Sequence, residues 1–257
     1  MDTAKRRNTT VQSVDRAISV MEFLAGNGWS GVTEVAGQIG IHKSTAYRLL
    51  TTLRDRGLVE QDAATEKYRL GFGMVLLAGA VTADLDVVRY ARPFCERLCE
   101  QTELTVTISV LEGEDAVVIQ QIMPTSSVVS VDWSGKHTPL HATADGKVLL
   151  AYMPEDQRRH VLEKPLDRFA ENTIVELETL QEQLEEIRAR GYAHTIEELE
   201  VGLNAVGTPI RSASGTVVAA ISVSGPAFRL PMESIPEIGE LAKKSAAGIS
   251  RRLGFRG

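Results

Sequence analysis

The stretch Thr33 to Arg56, TEVAGQIGIHKSTAYRLLTTLRDR, decides the fold of the N-terminal part of this chain. Its pattern predicts two helices joined by a tight turn. The first covers Thr33 to Ile39, with the Thr33 hydroxyl as its N-terminal cap. Gly40 then ends it, because glycine adopts a left-handed backbone without a Cβ clash. The second helix begins next to His42 and runs to the end of the stretch.

The second helix has two unlike faces. One carries an apolar stripe at helical spacing, formed by Ala46, Leu49, Leu50 and Leu53. The other carries side chains that all donate hydrogen bonds and are never acidic: Lys43, Ser44, Thr45, Tyr47, Arg48, Thr51, Thr52 and Arg54. That composition is expected where a helix meets phosphates and base edges. The pattern predicts a helix-turn-helix whose second helix recognises DNA, and the alternative is a helical hairpin with a solvated face.

A short β-hairpin is predicted directly after the recognition helix. Leu58–Gln61 and Lys67–Leu70 have strand character, and the polar segment Asp62–Glu66 connects them. A helix-turn-helix that leads into a hairpin is a winged helix, which favours DNA binding over the plain helical hairpin. We expect this wing to contact DNA through Tyr68 or Arg69.

Composition and charge fit a two-part globular protein. The 257 residues are 43 % hydrophobic and 24 % charged, which is ordinary for one large domain or two smaller ones. The net charge is −6, but residues 1–75 hold ten basic and eight acidic side chains and are therefore +2, which leaves −8 for the rest. An acidic body would limit nonspecific binding and leave DNA contact to a local basic face.

The cysteines and the N-terminus indicate a cytoplasmic protein. Cys95 and Cys99 give no disulfide framework and indicate buried thiols in a reducing compartment. The chain shows neither a signal peptide nor a membrane span, so we expect no membrane partner.

Four segments follow from the pattern along the chain. We expect a flexible tail over residues 1–10, a winged helix over 11–73, a linker helix over 74–89 and an effector-binding domain over 90–257. The linker is apolar nearly all round its first half and needs a partner. We expect it to pack against a second subunit, and burial on its own effector domain is the alternative.

Arg16 is placed by this pattern in the first turn of the first helix, where a cation opposes the helix dipole. A nearby DNA phosphate would explain it, and so would simple tolerance of a surface residue.

The C-terminal part is predicted as an antiparallel α+β domain. Its strands follow one another in hairpin order, and the helices are segregated around them. The predicted strands are Thr105–Leu111, Ala116–Ile122, Val128–Trp133, Tyr192–Thr195, Asn204–Arg211 and Val217–Val223. Ser134 to Leu140 is predicted as a loop, and Ala142 to Ala151 as a helix.

No catalytic motif occurs in this second domain. It lacks a nucleophile elbow, a phosphate loop and a dinucleotide fingerprint, and the glycines of Gly71-Phe72-Gly73 are assigned no role. His137 and His141 lie four apart, but this spacing matches no strong metal motif and favours structural hydrogen bonds. We therefore expect no catalytic residue, no metal and no cofactor.

Two stretches indicate a binding pocket instead. In Gly135 to Leu150 a polar loop leads to a helix start with small side chains, where free backbone N–H groups could hold a small carboxylate or phenolate. In Ala219 to Pro226, Ser222 and Ser224 face the same side of a strand. Small, hydroxyl and apolar groups without a general base predict binding rather than catalysis.

These motifs together resemble the IclR family of bacterial transcriptional regulators. VQSVDRAISVMEFL, the helix-turn-helix and the wing ending KYRLG resemble the family's winged helix. PLHATADGKVLLA, EELEVGLNAVGTPI and VVAAISVSGPAFRL resemble its effector domain. The resemblance covers residues 11–252. It implies a GAF-like effector domain, a small-molecule ligand, and dimers that associate into tetramers on paired sites in double-stranded DNA.

The resemblance also implies which residues line the effector cavity. By motif position these are Ser127, Ser130, Thr138, Ala144, Asp145, Thr195, Leu203, Ala205, Ser222 and Ser224. Asp145 departs from the family pattern, which more often has a small or apolar residue there. An acid at this position would repel a carboxylate and attract an amine or a hydroxyl-rich ligand, unless it points into solvent.

The sequence therefore predicts a DNA-binding regulator, and we expect a repressor, controlled by a small molecule in the second domain. The expected DNA contacts are Arg16, Lys43, Ser44, Thr45, Tyr47, Arg48, Thr52, Tyr68 and Arg69. The alternatives are an enzyme with an accessory winged helix and a protein-interaction module whose winged helix meets protein.

Overall fold

The computed structural model describes residues 11–77, 86–124 and 131–256. It divides the chain into two compact units, Met1–Asp84 and Leu85–Gly257. The tail predicted over 1–10 and the middle of the predicted linker helix lie outside the described residues, although residues 73–77 are helical. In the parts of the chain that are described, no helix is long and apolar enough to cross a membrane.

The N-terminal unit is a three-helix bundle with a two-stranded wing. Its elements are α1 (Gln12–Asn27), α2 (Val32–Ile39), α3 (Lys43–Asp55), β1 (Val59–Gln61) and β2 (Tyr68–Leu70). The two strands pair antiparallel. The bundle encloses a core of Val20, Leu24, Val35, Ala36, Ala46, Leu50, Leu53, Val59 and Tyr68. The predicted winged helix is confirmed.

The start of α2 differs from the prediction. Gly31 is the N-cap, and its N–H donates to the Glu34 carboxylate at 2.7 Å. Thr33 is therefore inside the helix and does not cap it. At the other end Gly40 has φ +69°, the left-handed conformation predicted for it.

Gly71 and Gly73 have a structural role that the sequence did not reveal. Their N–H groups donate to the carbonyls of Leu58 and Gly57, at 2.8 and 2.9 Å. A Cβ on either glycine would lie 2.6 Å from the Gly57 carbonyl oxygen. Only glycine lets the chain leave the wing this close to the end of α3, so the prediction that the pair has no role is wrong.

The C-terminal unit is built on one six-stranded antiparallel sheet with the order β5-β4-β3-β8-β7-β6. The strands are β3 (Thr105–Glu112), β4 (Asp115–Ile122), β5 (His137–Pro139), β6 (Ala193–Ile196), β7 (Leu203–Arg211) and β8 (Val217–Pro226). The helices are α4 (Asp86–Thr102), α5 (Ala144–Tyr152), α6 (Glu155–Leu162), α7 (Leu177–Arg190) and α8 (Ile235–Arg252), with a short 3-10 turn at Met232–Ser234. The α+β prediction is confirmed.

The two faces of this sheet pack against different helices. One face joins α4 and α8 in a core that contains Val106, Ile108, Val206 and Ile221. The other face meets α5 and α7, whose apolar residues form a second core with Ala116 and Ala220. Cys95 and Cys99 are buried free thiols on α4, as predicted, and burial raises the pKa of Cys95 to about 12.

The strand next to β4 is misplaced in the prediction. Residues 131–133 are irregular, and the rest of Val128–Trp133 lies outside the described residues. The Gln121 side chain instead bridges this segment, donating to the Val131 carbonyl at 2.9 Å and accepting from the Trp133 N–H at 2.8 Å. The actual neighbour is β5, which was predicted as a loop because three residues ending in proline show no alternation.

His194 on β6 is held neutral. The Arg190 guanidinium donates to its Nδ1 at 2.9 Å. Burial and the charge of Arg190 lower the pKa of His194 to about 4 from its ordinary value of 6.5. Between these pH values the His194 imidazole binds a proton in the unfolded chain but not in the native protein, so protonation favours unfolding.

We predict that Gly71→Ala or Gly73→Ala destabilises the N-terminal unit by about 1–3 kcal/mol, because the new methyl overlaps backbone that cannot move away. Chemical denaturation followed by circular dichroism measures this. Gly37→Ala is the matched control, since a Cβ there meets nothing within 4 Å and position 37 lies inside α2. It should be neutral or stabilising. Equal behaviour of the three variants would contradict the packing argument.

We predict that the free energy of unfolding of His194→Gln falls less than that of the wild type as the pH drops. In the native protein the free energy of unfolding should fall as the pH drops from about 6.5 to about 4, with no further contribution from His194 below that range. Denaturation at a series of pH values, with the exposed His160→Gln as control, measures the difference. A His194→Gln curve parallel to that of the wild type would refute this assignment.

Candidate functional site

The exposed face of α3 presents the side chains expected to meet DNA. Lys43, Ser44, Tyr47, Arg48 and Thr52 are exposed. Lys43 and Arg48 form no ion pair with any other described residue, so both cations are free to meet a phosphate or a base edge. Thr52 donates its hydroxyl to the Arg48 carbonyl at 2.8 Å, which leaves the hydroxyl oxygen to accept.

Three other donors of this predicted face are less available. Thr45 is half-buried, and the Thr51 hydroxyl is buried without a hydrogen-bond partner among the described residues. Arg54 is engaged by its neighbour Asp55 at the end of α3 and by Gln61 of the wing, both at 3.1 Å. The free donors are thus concentrated in the first turns of α3.

Tyr68 cannot serve as a DNA contact. Its side chain is only 1 % exposed and belongs to the core of the unit. Its backbone also pairs with Ser30 through two hydrogen bonds of 2.8 and 2.9 Å, an extra bridge beside the wing. The predicted contact is incompatible with this burial, because period-two alternation turns Tyr68 inward and Arg69 outward.

Arg69 and Arg16 are placed differently. Arg69 is exposed, pairs with Glu60 and stacks on the Trp29 ring at 4.5 Å. Arg16 is half-buried and lies in the second turn of α1, because the helix begins at Gln12. The dipole argument based on a first-turn position therefore does not apply to Arg16.

A cavity opens in the C-terminal unit between the sheet and the start of α5. It encloses about 500 Å³, counting its open mouth. The structure brings together eight of the residues predicted to line it: Thr138, Ala144, Asp145, Thr195, Leu203, Ala205, Ser222 and Ser224. The other two, Ser127 and Ser130, lie outside the described residues.

Six other residues of the lining are outside the predicted set, and two of them, Ala142 and Thr143, lie where the small side chains before α5 were expected to leave room. Sequence reasoning missed the other four, Thr107, Val118, Trp133 and Leu199. Thr107 pairs with Ser222 across β3 and β8, so the alternation of β3 could have identified it. Leu199 and Trp133 come from irregular segments, where no periodicity predicts the direction of a side chain.

The start of α5 is pressed against the sheet. Thr143 caps the helix, accepting from the Gly146 N–H at 3.1 Å. A Cβ on Gly207 of β7 would lie 2.7 Å from the Ala144 carbonyl oxygen. Because Gly207 lacks that atom, the helix N-terminus approaches the strand closely and forms one end of the cavity.

Asp145 is buried at this end of the cavity. It is 6 % exposed, and the fully buried Ser109 hydroxyl donates to its carboxylate. The alternative that Asp145 points into solvent is therefore excluded. Its position is set by α5 on one side and by β3 on the other.

A second charge on α5 lies away from the cavity. Lys147 is fully buried, and its ammonium donates to both Glu198 oxygens at 2.7 and 2.6 Å and to Gln183 at 2.7 Å. Burial lowers the pKa of Lys147 and raises that of Glu198, while each charge counteracts the shift of the other. Glu198 adjoins Leu199, so this pair fixes α5 to the segment that closes the cavity.

The histidines and acids show no metal centre. Among the described residues, no group of three or more His, Cys, Asp or Glu side chains is arranged to hold an ion. His141 hydrogen-bonds the Asp167 carbonyl at 2.8 Å, and His137 contacts Asp115 at 3.2 Å. Both imidazoles thus have protein partners.

Comparison with known proteins matches two separate parts of the chain. Residues 13–63 match the profile described as the IclR helix-turn-helix domain. Residues 79–251 match the profile described as bacterial transcriptional regulator IclR C-terminal. The chain is 35 % identical over 247 residues to the HTH-type transcriptional repressor AllR of Klebsiella pneumoniae, which covers 95 % of this chain and 91 % of that protein.

Solved structures are similar over nearly the whole chain. The crystal structure of the Thermotoga maritima IclR has a TM-score of 0.82 and 30 % identity, and the match covers 96 % of this chain and 100 % of that one. An IclR homolog from Microbacterium hydrocarbonoxydans, complexed with 4-hydroxybenzoate, has a TM-score of 0.85 and 25 % identity. That match covers 94 % of this chain and 98 % of the homolog.

We predict that Glu198→Gln destabilises the C-terminal unit by about 3–5 kcal/mol, because it leaves the buried Lys147 ammonium without a counter-charge. The double change Lys147→Met with Glu198→Gln should recover much of this loss, since no buried charge then lacks a partner. Denaturant titration of both single variants, Glu198→Gln and Lys147→Met, and of the double variant measures the recovery. A double variant as unstable as the sum of its single changes would contradict the coupling.

Proposed function

The chain belongs to the IclR family of bacterial transcriptional regulators, and we propose that it acts as a repressor. It is a DNA-binding regulator whose DNA binding is modulated by a small molecule. The name of the Klebsiella relative, a transcriptional repressor, supports this direction of control. We assign it no catalytic step and place it in the cytoplasm, where bacterial DNA lies.

The exposed donor face of α3 carries the DNA-binding proposal. We propose that Lys43, Ser44, Tyr47 and Arg48 contact DNA directly. Thr45 and Thr52 stay on the contact surface as supporting residues, because one is half-buried and the other already donates to backbone. A face that offers donors and no carboxylate suits phosphate oxygens and the acceptor atoms of guanine and adenine.

Arg69 is proposed as the contact of the wing. Its stacking on Trp29 and its pairing with Glu60 hold an exposed guanidinium in place. A guanidinium fixed in this way loses less freedom when it meets a phosphate. Arg16 stays a weaker proposal, because its side chain is half-buried.

The cavity in the C-terminal unit is proposed as the effector site. Its lining combines apolar side chains with a few polar groups, as small-molecule sites do. The homolog complexed with 4-hydroxybenzoate supports a small molecule as the ligand. We propose binding roles for Thr138, Ala144, Asp145, Thr195, Leu203, Ala205, Ser222 and Ser224, with Ser127 and Ser130 as further candidates.

Self-association is part of the proposal. Val11, Val14 and Ile18 of the first helical segment are exposed, and so are Val75 and Leu76. Exposed apolar side chains of this kind support an interface with a second copy. We propose a dimer that pairs two recognition helices, with association into tetramers on paired sites. The effector would act by favouring one arrangement of these helices, through its different affinity for the two arrangements.

We predict that Arg48→Ala weakens specific DNA binding by about 1–3 kcal/mol, or roughly tenfold to more than a hundredfold. The probe is a duplex selected from a random pool by the wild-type protein, and gel-shift titration at fixed salt gives the affinity. Tyr68→Phe serves as control, because it changes only a buried phenol and should leave the affinity within about twofold. Failure of the wild type to select any sequence would remove the proposed function, and unchanged affinity of Arg48→Ala would remove Arg48 from the contact surface.

A further inference from the structure

The effector cavity has an unusual charge balance. Among the described residues that line it, Asp145 is the one charged side chain. The described lining therefore offers no arginine, lysine or histidine to receive a ligand carboxylate.

Lys147 cannot supply the missing cation. Its ammonium already donates to two Glu198 oxygens and to Gln183, within 2.7 Å in each case, and it is fully buried. Turning it toward the cavity would leave Glu198 buried without a partner. The charge of Asp145 is thus not compensated by its neighbour on α5.

One oxygen of Asp145 is available to a ligand. Ser109 donates to Oδ2, whereas Oδ1 receives no hydrogen bond from any described residue. The side chain is 94 % buried as part of the cavity wall, because its exposed fraction is 6 %. An ionised carboxylate only accepts hydrogen bonds, so Oδ1 requires a donor.

The hydroxyls around the cavity adapt to either kind of ligand. Thr107, Thr195, Ser222 and Ser224 use their side chains in no hydrogen bond with the described residues. A hydroxyl donates or accepts as required. They therefore do not select between donors and acceptors, so among the side chains of the described lining it is Asp145 that imposes a preference.

We propose that Asp145 selects the effector: the cavity takes a small molecule that presents an N–H or O–H donor to Asp145, and it discriminates against simple carboxylates. This inference rests on the proposed effector site. A carboxylate placed here would face a second buried negative charge without a counter-ion, which is strongly unfavourable at low dielectric. A neutral amide or a cationic amidine of the same shape avoids that repulsion and satisfies Oδ1.

Benzamide, benzamidine and benzoate test the proposal, because they share one ring and differ in the charge of one group. Propionamide and propionate are a smaller pair of compounds, used in case the aromatic ring is too large for the cavity. Each compound is titrated against the full-length chain at pH 7.5 and fixed salt. Ligand-observed NMR follows the titration, because it measures dissociation constants in the millimolar range. We expect the amide or the amidine to bind the wild type at least tenfold tighter than the matching acid.

Asp145→Asn should reduce that preference to threefold or less. The amide that this substitution introduces still accepts from Ser109, so the fold is expected to persist, and a thermal melt checks it. With its one oxygen toward Ser109, this amide turns its NH2 group to the cavity, where it cannot accept from a ligand. The neutral amide and the cationic amidine should therefore both bind D145N more weakly than the wild type. Asp156→Asn is the matched control, with the same loss of charge at an exposed position of α6, and it should change nothing.

Three results would overturn the proposal. A wild type that binds the acids as well as the amides, or D145N with the wild-type preference, would show that Asp145 does not select the ligand while leaving the cavity as the effector site. Binding of none of the five compounds would remove both the selectivity and the cavity as their site. Loss of the DNA-binding function itself is detected independently by the duplex selection, which needs no ligand.

Discussion

The ion pair between Lys147 and Glu198 is the interaction on which the cavity of the C-terminal unit depends. It joins α5 to the connection between β6 and β7, and Gln183 extends the junction to α7. The same connection is held by the Thr173 hydroxyl, which donates to the Glu198 carbonyl at 2.6 Å. Separating two buried charges costs much free energy. The ion pair therefore couples the start of α5 to the segment that carries Leu199, on another side of the cavity.

This rigidity constrains how a ligand can act. Gly207 and Gly146 bring α5 against β7 and the preceding loop so closely that an added Cβ would overlap backbone. The helix therefore has little room to shift toward the sheet. A ligand that binds here gains affinity from a preformed wall. Its regulatory effect must then come from the parts of the unit that the ion pair does not fix.

The fold was largely predictable, because its elements follow periodic patterns. The helix-turn-helix, the wing and the inner strands of the sheet have apolar residues at regular spacing, and burial follows that spacing. The failures lie where no period exists. The three-residue β5 depends on its pairing with β4. The cap at Gly31 uses Glu34 instead of a hydroxyl side chain, and Gly71 and Gly73 are required by an approach to Gly57 that no local pattern shows.

The candidate sites were predictable to different degrees. The position of Tyr68 in the wing suggested a DNA contact, but the bundle needs one large side chain from β2, and Tyr68 supplies it. The cavity residues on strands and at the helix start came together because alternation and motif order determine them. Leu199 and Trp133 were not predicted to line the cavity, because they lie in irregular segments, where no periodicity gives the direction of a side chain. Function in such a site depends on a few residues whose direction is set only by the assembled fold.

Asp145 and Lys147 show how one helix separates stability from ligand choice. They lie two residues apart on α5, and both are buried. Lys147 has its full set of protein partners and holds the unit together, whereas Asp145 keeps one oxygen free at the cavity. A change at position 145 can therefore alter the charge that a ligand meets without breaking the ion pair behind it. Because side chains two apart on a helix point to different sides, the framework and the specificity of the cavity can vary independently in this fold.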